Sequence, residues 1–452
     1  MLEHNLIPSD AGRAYRKAPA NSRLFMIAFA CHPDNSMEER NGWHRALQAA
    51  EDFKVTVACG PHVDSNELIA RVPSHLDGRL TFHSINAGRF ANYCLRKELL
   101  FYRGYKIWHA KVAAFARELH REAPFSVTHM VSVCGYREPG YLWEFDCPFV
   151  WGPIGGTSNF PLAYLSIVNP MGGMYEIARN TVNRFQLNSC RHVRGAAQRS
   201  LAVFAANRST QRDLERTTGA KMHLELETGI DYPIGVPKQP TTTDHPLRIL
   251  WVGRLRPWKG LPLLLRALSQ VRGSLSFELR VIGDGASKRH WLRMAKRLQI
   301  ADRVHWECKP AYRESLHHYQ WADVFAFTSL RDTSGTGLLE ALAAGVPIVG
   351  LDHQGAADIM SDECGIRIPV STPRESVRAF ASALSELAND RALLLKLSHG
   401  AISRARDYTW NQRGTIVRQW YARAAQATNS DAFALTPTSN ARDYVKSNSP
   451  TC

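Results

Sequence analysis

The sequence has no long hydrophobic run and no apolar leader. None of its apolar stretches approaches the ~20 residues that a membrane-spanning helix needs. The N-terminal segment MLEHNLIPSDAGRAYRKAPANS lacks the continuous apolar core of a secretory signal peptide. We therefore expect a protein that is soluble in the cytoplasm or attached peripherally to the inner face of the cell membrane.

Cysteine pairs are also missing. The nine cysteines are scattered singly, and no two of them form a CxxC motif. This distribution argues against a disulfide framework or a zinc site and favours a reducing compartment. Cys31, Cys59, Cys134 and Cys147 lie in or beside apolar, strand-like runs, where cysteine is usually a small core residue.

Acidic residues are fewer than basic ones. The chain contains 56 Lys and Arg residues and 41 Asp and Glu residues, which leaves a net charge of +15. Such an excess indicates contact with nucleic acid, a lipid surface or a phosphorylated substrate, although a merely basic soluble surface would also produce it. No nucleic-acid-binding motif accompanies the charge, so we do not expect nucleic acid as a partner.

The most basic long segment is Asn180–Ser200. Its arginines are Arg184, Arg191, Arg194 and Arg199, and Phe185 and Leu187 lie between them. Two interpretations stay open. The segment is a cationic face for anionic lipid headgroups or a lipid-linked pyrophosphate acceptor, or it is a solvated helix face.

Short apolar, β-rich runs alternate with helical patterns along almost the whole chain. The first series of strands comprises RLFMIAFAC, KVTVACG, RLTFHSI, SVTHMVSV, PFVWGP and LAVFAAN, and the second comprises LRILWVGRL, FELRVIGDG, RVHWEC, VFAFTSL and PIVGLDH. Alternation of this kind is typical of βαβ units, in which helices cover both faces of a mainly parallel sheet. The sequence therefore predicts an α/β protein with two doubly wound, Rossmann-like domains.

The segment between the two series, DYPIGVPKQPTTTDHP, is rich in Pro and Thr and has no period, so we interpret it as a linker. The predicted organisation is a first domain over residues 22–230, the linker over 231–246, a second domain over 247–405, a C-terminal helix over 406–425 and a disordered tail over 426–452.

The stretch RDTSGTGLLEALAAGVPIV, which begins at Arg331, has the composition of a phosphate-binding loop. Residues Asp332 to Gly337 follow a predicted strand, and open α/β sheets bind ligands at the carboxyl ends of their strands. A helix-forming run comes next and stops at Gly345. Small residues at a helix N-terminus offer backbone N–H groups to a phosphate, but a capped helix after an ordinary turn has the same local sequence.

A second stretch, LWVGRLRPWKG, places Arg254 and Lys259 in the loop after another predicted strand. Two cations at a strand's carboxyl end suit a diphosphate, because Arg offers a planar fork and Lys a point charge. A single loop cation more commonly faces only solvent. A third element, VIGDGA, is a strand that runs into Gly283 and Gly285, and a GxG pair alone is a weak signal.

In this order, GRLRPWKG, VIGDG and SLRDTSGTGLLEALAAGVPIV resemble the nucleotide-sugar domain of retaining glycosyltransferases of family 4, which have the GT-B fold. The resemblance covers essentially the whole second domain. The family signature is a Glu, seven residues and a second Glu. Here Glu340 is the second member, and Asp332 stands in place of the first.

Two segments of the first domain, ACHPDNSMEERNGWHRA and THMVSVCGYREPGYLWEFDCPFVWGPIGG, resemble a subgroup of that family. The subgroup is found mostly among bacterial surface-polysaccharide enzymes. Glu38, Gly42 and Trp43 match its first motif, whereas glycines expected near Ser36 and Arg40 are missing.

The resemblance implies a role for each matched residue of the second domain. Arg254 and Lys259 would hold the donor diphosphate and stabilise the charge of the leaving group, as a metal ion does in other enzymes. We therefore expect no metal and no cofactor. Glu340 would accept hydrogen bonds from the ribose, and Asp332 would contact hydroxyls of the donor sugar. The rest of the expected nucleotide site is Gly253, Gly283, Gly285, Gly335, Thr336, Gly337 and Leu338.

The resemblance also implies an acceptor side in the first domain, formed by Glu38, Gly42, Arg137, Gly155 and Gly156. Glu38 can equally be an ordinary surface carboxylate. His129 matches a position where similar enzymes have a His near the reacting sugar, although a lone His in an apolar strand is more often a core residue. The C-terminal helix would cross back to the first domain, with an apolar face of Trp410, Ile416, Val417 and Trp420.

The expected function is that of a GT-B glycosyltransferase acting in polysaccharide assembly. It would transfer a sugar from a UDP-sugar or GDP-sugar to a saccharide or lipid-linked oligosaccharide, with retention of configuration. The expected partners are therefore the nucleotide-sugar, the acceptor and an anionic membrane surface. Two alternatives remain: a sugar-nucleotide epimerase of the same fold, and a non-catalytic binding protein that keeps the fold as a scaffold.

Overall fold

A computed structural model describes residues 18–19, 21–230, 234–238, 245–308 and 316–429 of the chain. These residues form two parallel sheets, one of seven strands and one of six, each covered by helices. The predicted pair of doubly wound α/β domains is confirmed. Most of the predicted linker and residues 430–452 of the predicted tail lie outside the described residues.

The first domain contains a seven-stranded sheet of spatial order β3-β2-β1-β4-β5-β6-β7. Its strands are β1 (Arg23–Ala28), β2 (Lys54–Cys59), β3 (Leu80–Ser84), β4 (Val127–Ser132), β5 (Phe149–Ile154), β6 (Ala202–Ala205) and β7 (His223–Leu224). Its helices are α1 (Met37–Ala50), α2 (Ser65–Ala70), α3 (Arg89–Leu95), α4 (Phe101–Glu122), α5 (Pro170–Ser189), α6 (Arg191–Arg199) and α7 (Arg208–Thr218).

The second domain contains a six-stranded sheet of spatial order β10-β9-β8-β11-β12-β13. Its strands are β8 (Leu247–Val252), β9 (Phe277–Ile282), β10 (Val304–Glu307), β11 (Val324–Phe327), β12 (Ile348–Leu351) and β13 (Gly365–Ile368). The helices from here to the end of the described chain are α8 (Leu261–Val271), α9 (Lys288–Arg297), α10 (Leu316–Trp321), α11 (Thr336–Ala343), α12 (Gln354–Ile359), α13 (Pro373–Asn389), α14 (Arg391–Arg406) and α15 (Trp410–Asn429).

Each sheet reverses its direction of growth at one point, and this topology positions the site. The chain runs outward from β1 to β3 and returns to place β4 beside β1, and it repeats the pattern with β8 and β11. The loops that leave two such neighbouring strands separate and form a crevice, which is where doubly wound sheets bind ligands. Loops far apart in sequence therefore meet at the β1/β4 and β8/β11 edges.

The core residues are those that the apolar strand runs predict. Every residue of β4 and β5 is buried, because helices cover both faces of the sheet. Cys31, Cys59, Cys134 and Cys147 are buried and unpaired, so their interpretation as core residues is confirmed. No helix in the described part of the chain has the length and apolarity needed to cross a membrane.

The last helix, α15, packs against the first domain. Val417 and Tyr421 lie in the core formed by β1, β2 and α1, and Ile416 and Trp420 pack against it. Arg418 binds Asp52 at 2.8 Å. The helix begins at Trp410 and continues to Asn429, so it starts and ends four residues later than the sequence predicts.

The basic segment Asn180–Ser200 forms parts of two helices that are interrupted at Cys190. Its four predicted surface arginines are exposed, and so is Phe185. Leu187 is buried in the core of the first domain. The segment is therefore not one continuous amphipathic face.

Candidate functional site

The loops after β8 and β11 bring two predicted donor residues into contact. Lys259 forms an ion pair with the carboxylate of Asp332, and the two side chains are 17% and 24% exposed. The backbone N–H of Asp332 donates to the side-chain oxygen of Gln354 at 2.9 Å. Arg254 is exposed and forms no ion pair with any residue that the structure describes.

Helix α11 begins directly after Asp332 and its small neighbours. Gly335 precedes the helix with φ +77°, a left-handed conformation that favours glycine. A side chain there would also meet the ring of Phe327 at 2.8 Å. No side chain caps the helix, so the partial positive charge of its N-terminus, at Thr336, Gly337 and Leu338, is available to an anion.

Glu340 lies on the first turns of α11 and is buried. The Tyr319 hydroxyl donates to its Oε2 at 2.6 Å, which fixes the orientation of the carboxylate. This contact places the Glu340 carboxylate about one helical turn beyond the predicted phosphate-binding amides.

Two predicted nucleotide-site glycines, Gly283 and Gly285, permit the close packing of two loops. Gly283 and Gly285 have φ values of +142° and +154°. A Cβ atom on Gly283 would lie 2.0 Å from the carbonyl oxygen of Gly253, and one on Gly285 would lie 2.5 Å from that of Leu255. The absence of side chains thus lets the loop after β9 support the loop that carries Arg254. A direct nucleotide contact of these glycines remains a prediction.

Residues of the first domain face the donor loop across the cleft. A Cβ atom on Gly155 would lie 2.3 Å from Thr333 Cγ2, so this glycine permits close approach of the two domains. Gly156 follows with φ +88° and lies beside Arg137. The Arg137 guanidinium donates to Asn183 Oδ1 at 2.6 Å and to Gln186 Oε1 at 2.7 Å. Arg137, Gly155 and Gly156 are therefore brought together, as predicted for one side of a cleft.

Glu38 and Gly42 differ in their surroundings. The backbone N–H of Cys134 donates to Glu38 Oε2 at 3.2 Å, and burial raises the pKa of the carboxyl group. A Cβ atom on Gly42 would lie 2.3 Å from the carbonyl oxygen of Ala30. Gly42 is buried and allows α1 to pack closely on the end of β1, and its place on the acceptor side remains a prediction.

His129 does not lie where its predicted catalytic role requires, because it is a residue of the core. Its side chain is fully buried in the middle of β4. Nε2 lies 2.7 Å from the Gly152 carbonyl oxygen, and Nδ1 lies 2.5 Å from the Tyr421 hydroxyl oxygen. A carbonyl only accepts, so Nε2 carries the proton and Nδ1 accepts from Tyr421. Burial lowers the pKa of His129 to about 3, and the neutral imidazole joins the sheet to α15.

One buried carboxylate in the cleft escapes prediction from the sequence. The Ser334 hydroxyl donates to Glu227 Oε1 at 2.6 Å, although the two residues lie 107 positions apart. Glu227 Oε2 is buried and has no hydrogen-bond partner among the described residues. Burial raises the pKa of Glu227 to about 7, and the nearby Glu38 and Asp332 add to the effect. No local motif marks this residue.

Three guanidinium groups also meet along the inner face of α5. Arg331, in the donor loop, binds Glu176 at 3.2 Å. Arg179, three positions along the helix, donates to the Ser158 carbonyl at 3.0 Å. Burial, Arg331 and Arg137 lower the pKa of Arg179 to about 10. The interdomain cleft therefore has more cations than anions on this wall.

Comparison with known proteins assigns the second domain to a family. Residues 246–390 match the family described as glycosyl transferases group 1. The second domain is a group 1 glycosyltransferase domain. It contains every donor-side residue predicted from the sequence, from Gly253 to Glu340.

Curated relatives of this glycosyltransferase domain carry two kinds of name. D-inositol 3-phosphate glycosyltransferase from Corynebacterium diphtheriae is 29% identical over 189 residues, which are 40% of this chain and 43% of the relative. A glycosyltransferase named for colanic acid biosynthesis, WcaL from Escherichia coli, is 28% identical over 170 residues, 36% of this chain and 42% of the relative. The matches thus span less than half the length of these relatives.

Solved structures extend the similarity to both domains. Sucrose-phosphate synthase from Thermosynechococcus elongatus has a TM-score of 0.66 at 16% identity, covering 90% of this chain and 100% of that one. HepE from Anabaena, in complex with UDP, has a TM-score of 0.56 at 14% identity and covers 88% and 98%. At these identities the comparison shows the fold, and the predicted GT-B architecture of two Rossmann-like domains is confirmed.

Proposed function

We propose that this protein is a glycosyltransferase that transfers a sugar from a nucleoside diphosphate sugar to an acceptor held by the first domain. The observation that carries the proposal is the meeting of two loops at the β8/β11 edge. They bring Lys259, Asp332 and the uncapped N-terminus of α11 together within the group 1 glycosyltransferase domain. Cations and helix amides at one edge suit a diphosphate.

In the proposed reaction Arg254, Lys259 and the amides of Gly335 to Leu338 stabilise the negative charge that grows on the leaving diphosphate. Glu340, held by Tyr319, accepts hydrogen bonds from the ribose. Asp332 contacts hydroxyls of the donor sugar. Gly283 and Gly285 support this arrangement, because the absence of their side chains brings the loop after β9 close to the carbonyl oxygens of Gly253 and Leu255.

We propose that transfer retains configuration through a front-face displacement. The bond from the anomeric carbon to the phosphate oxygen breaks, and the bond to the acceptor oxygen forms on the same face. The proton of the acceptor hydroxyl passes to the departing phosphate. This route needs no enzyme nucleophile, which agrees with the correction of His129 to a core residue.

The acceptor is proposed to be a lipid-linked oligosaccharide in surface-polysaccharide assembly. Arg137 and Arg179 of the first domain and Arg331 of the donor loop lie along this part of the cleft, where Glu176 pairs with Arg331. An excess of guanidinium groups suits the pyrophosphate of such an acceptor. The relative named for colanic acid biosynthesis supports this class, and the relative named for an inositol phosphate supports an acceptor that contains phosphate. The proposed location is the cytoplasmic face of the membrane.

A panel of UDP-sugars and GDP-sugars tests the donor assignment. The purified protein should release the nucleoside diphosphate from one sugar nucleotide and gain thermal stability with the matching free diphosphate. The UDP complex of the Anabaena neighbour makes the UDP series the first choice. Epimer formation from donor alone would establish the epimerase alternative. An absence of both release and binding across the panel would leave the scaffold alternative.

A further inference from the structure

The loop between β11 and α11 is held by side chains of the first domain. We call residues 331–335 of this loop the donor loop. Its first residue, Arg331, binds Glu176 of α5 at 3.2 Å, and its fourth, Ser334, donates to Glu227 at 2.6 Å. Both carboxylates are only 1% exposed, so neither contact is a loose surface pair. The first domain therefore supports the donor loop near both of its ends.

The middle of the donor loop is bound through its backbone. The carbonyl oxygen of Thr333 accepts a hydrogen bond from Asn207 Nδ2 at 2.7 Å. Asn207 is fully buried and precedes α7, and its Oδ1 caps that helix by accepting from the backbone N–H of Thr210. Because the cap fixes the orientation of the amide, the first domain also fixes the position of the group that binds the Thr333 carbonyl.

A further contact reaches the donor loop through Gln354 of the second domain. Its Oε1 accepts from the backbone N–H of Asp332 at 2.9 Å, and its Nε2 donates to the carbonyl oxygen of Asn159 in the first domain at 3.1 Å. Gln354 has φ +52°, a left-handed conformation that is uncommon for residues other than glycine. Strained residues of this kind concentrate at functional sites. The Gln354 side chain thus links the residue proposed to contact the donor sugar to the first domain.

The donor loop is also packed tightly between the two domains. A Cβ atom on Gly155 of the first domain would lie 2.3 Å from Thr333 Cγ2. A Cβ atom on Gly355 of the second domain would lie 1.8 Å from the Thr333 carbonyl oxygen. The loop therefore has backbone on both sides, and its hydrogen bonds act within a confined space.

We propose that Asn207 and Gln354 are positioning residues, through which the first domain holds the donor loop in the geometry that transfer requires. Asp332 and the N–H groups at the start of α11 reach the donor only when the loop follows one path, and these contacts select that path. The first domain thus acts on the donor in addition to holding the acceptor. The inference rests on the proposed function for the identity of the donor, whereas the contacts that hold the loop involve no ligand.

Two substitutions remove these contacts and keep the local backbone. Asn207→Ser retains a side-chain oxygen that caps α7 about equally well, but the shorter side chain does not also reach the Thr333 carbonyl. Gln354→Gly removes both hydrogen bonds of the link and suits the left-handed backbone. The matched control is Tyr164→Phe. It removes a buried hydrogen bond of 2.6 Å to Ser376 of α13, which joins the two domains without involving the donor loop.

Hydrogen–deuterium exchange measures the order of the donor loop without any ligand. Mass spectrometry of peptides that cover residues 331–343 should show exchange roughly fivefold faster in both test variants than in the wild type, as for the loss of one net hydrogen bond. Asn207→Ser is the stricter test, because it frees a carbonyl group, whereas Gln354→Gly frees the amide of Asp332 itself. Tyr164→Phe should leave exchange in these peptides unchanged.

Release of the nucleoside diphosphate from the sugar nucleotide, measured without acceptor, gives the second readout. Because Asp332 belongs to the donor loop, kcat should fall by a similar factor, roughly fivefold, in both test variants. The KM for the donor should change by less than about twofold, since Lys259 and Glu340 lie outside the loop and keep their places. Tyr164→Phe should retain the wild-type kcat.

Three results would overturn the inference. The first is unchanged exchange of the donor loop in Asn207→Ser, whatever the enzyme assay shows. The second is equally fast exchange in Tyr164→Phe, which would assign the effect to docking of the domains as a whole. The third is faster exchange with a wild-type kcat. If the wild type releases no nucleoside diphosphate from any sugar nucleotide but exchange changes as expected, the proposed function fails and the hold of the first domain on the donor loop stands.

Discussion

The Ser334 hydroxyl donates a hydrogen bond to the buried carboxyl group of Glu227 at 2.6 Å. Glu227 lies near the C-terminal end of the first domain, and Ser334 lies immediately before Gly335, the residue that precedes α11. The contact therefore joins the first domain to the phosphate-binding loop of the glycosyltransferase domain. Burial without a full set of partners raises the pKa of Glu227 to about 7, and the stability of the joined domains should depend on that titration.

We predict that Glu227→Gln changes how stability depends on pH. The pKa of Glu227 rises from a reference of 4.5 to about 7 in the folded protein, so the folded state binds more protons than the unfolded state between these values. Stability therefore falls as pH rises through this window, by up to about 3 kcal/mol. The variant, whose amide oxygen can still accept from Ser334, should match the wild type near pH 4.5 and exceed it above pH 7.

Thermal unfolding of both proteins over a pH series measures this effect. Burial also raises the pKa of Glu38, so this residue makes stability fall with rising pH in the same way. Glu38 is still present in the variant. The slope of stability against pH should therefore become smaller in Glu227→Gln but not disappear. Ser334→Ala is the control, because it removes the contact and keeps the titrating carboxyl group. Equal slopes for Glu227→Gln and the wild type would contradict the assignment.

Removing either donor cation should slow transfer. We predict that Lys259→Ala and Arg254→Ala each lower turnover by roughly 10²–10³, as for the loss of a group that stabilises charge in the transition state. Arg256→Ala is a matched control, because Arg256 is an exposed cation of the same loop. Steady-state rates on the true donor decide the matter. Wild-type turnover in either test variant would show that the diphosphate lies elsewhere.

Asp332 should act on the donor sugar rather than on the helix. The structure excludes the helix-cap alternative, because the residue that precedes α11 is Gly335. Asp332→Asn should cost about 1.5–3 kcal/mol of transition-state stabilisation, or ten- to a hundredfold in transfer. Free nucleoside diphosphate should still bind, since Glu340 and the loop cations remain. Asp332→Glu should lower activity or shift the sugar preference.

A second effect of Asp332 needs its own measurement, because the carboxylate also binds Lys259. If Asp332 only positions Lys259, then Asp332→Asn and Lys259→Ala should lower both transfer and diphosphate affinity in parallel. Transfer rates and diphosphate affinities of the two variants, measured side by side, separate these roles. A loss of transfer with intact affinity in Asp332→Asn alone supports the contact with the sugar.

His129 should influence stability and leave transfer unchanged. Tyr421→Phe removes the hydroxyl that donates to the buried imidazole and should cost about 1–3 kcal/mol. The pKa of His129 falls from 6.5 to about 3 on folding, so the unfolded state binds more protons between these values. Stability is therefore complete above pH 6.5 and is lost as pH falls.

Acid unfolding curves of the wild type and His129→Gln check this prediction, since the variant cannot titrate and should lose less stability below pH 6.5. Tyr93→Phe, at an exposed position, serves as the neutral control. If Tyr421→Phe folded with unchanged stability but lost most of its turnover, the result would contradict this prediction and support a catalytic role for His129.

Local sequence determined the architecture and most of the donor loop. Apolar runs separated by helical patterns specify two parallel sheets, because each residue's burial on a two-sided sheet is set by its own apolar character. Glycines at Gly335 and Gly345 mark the ends of α11, since positive φ values are a property of single residues. The contact of Lys259 with Asp332 follows from the topology, because the loops that leave neighbouring strands meet at one edge of the sheet.

The tertiary structure alone decided which polar residues face each other. Arg137, Gly155 and Gly156 gather as expected, but His129 turns out to serve packing, because a motif match does not reveal which neighbour fills the space beside it. Glu227 and Ser334, or Arg331 and Glu176, meet only after two domains have folded and docked. Pairing across such distances depends on the geometry of both sheets, and hydrophobic periodicity carries no information about it.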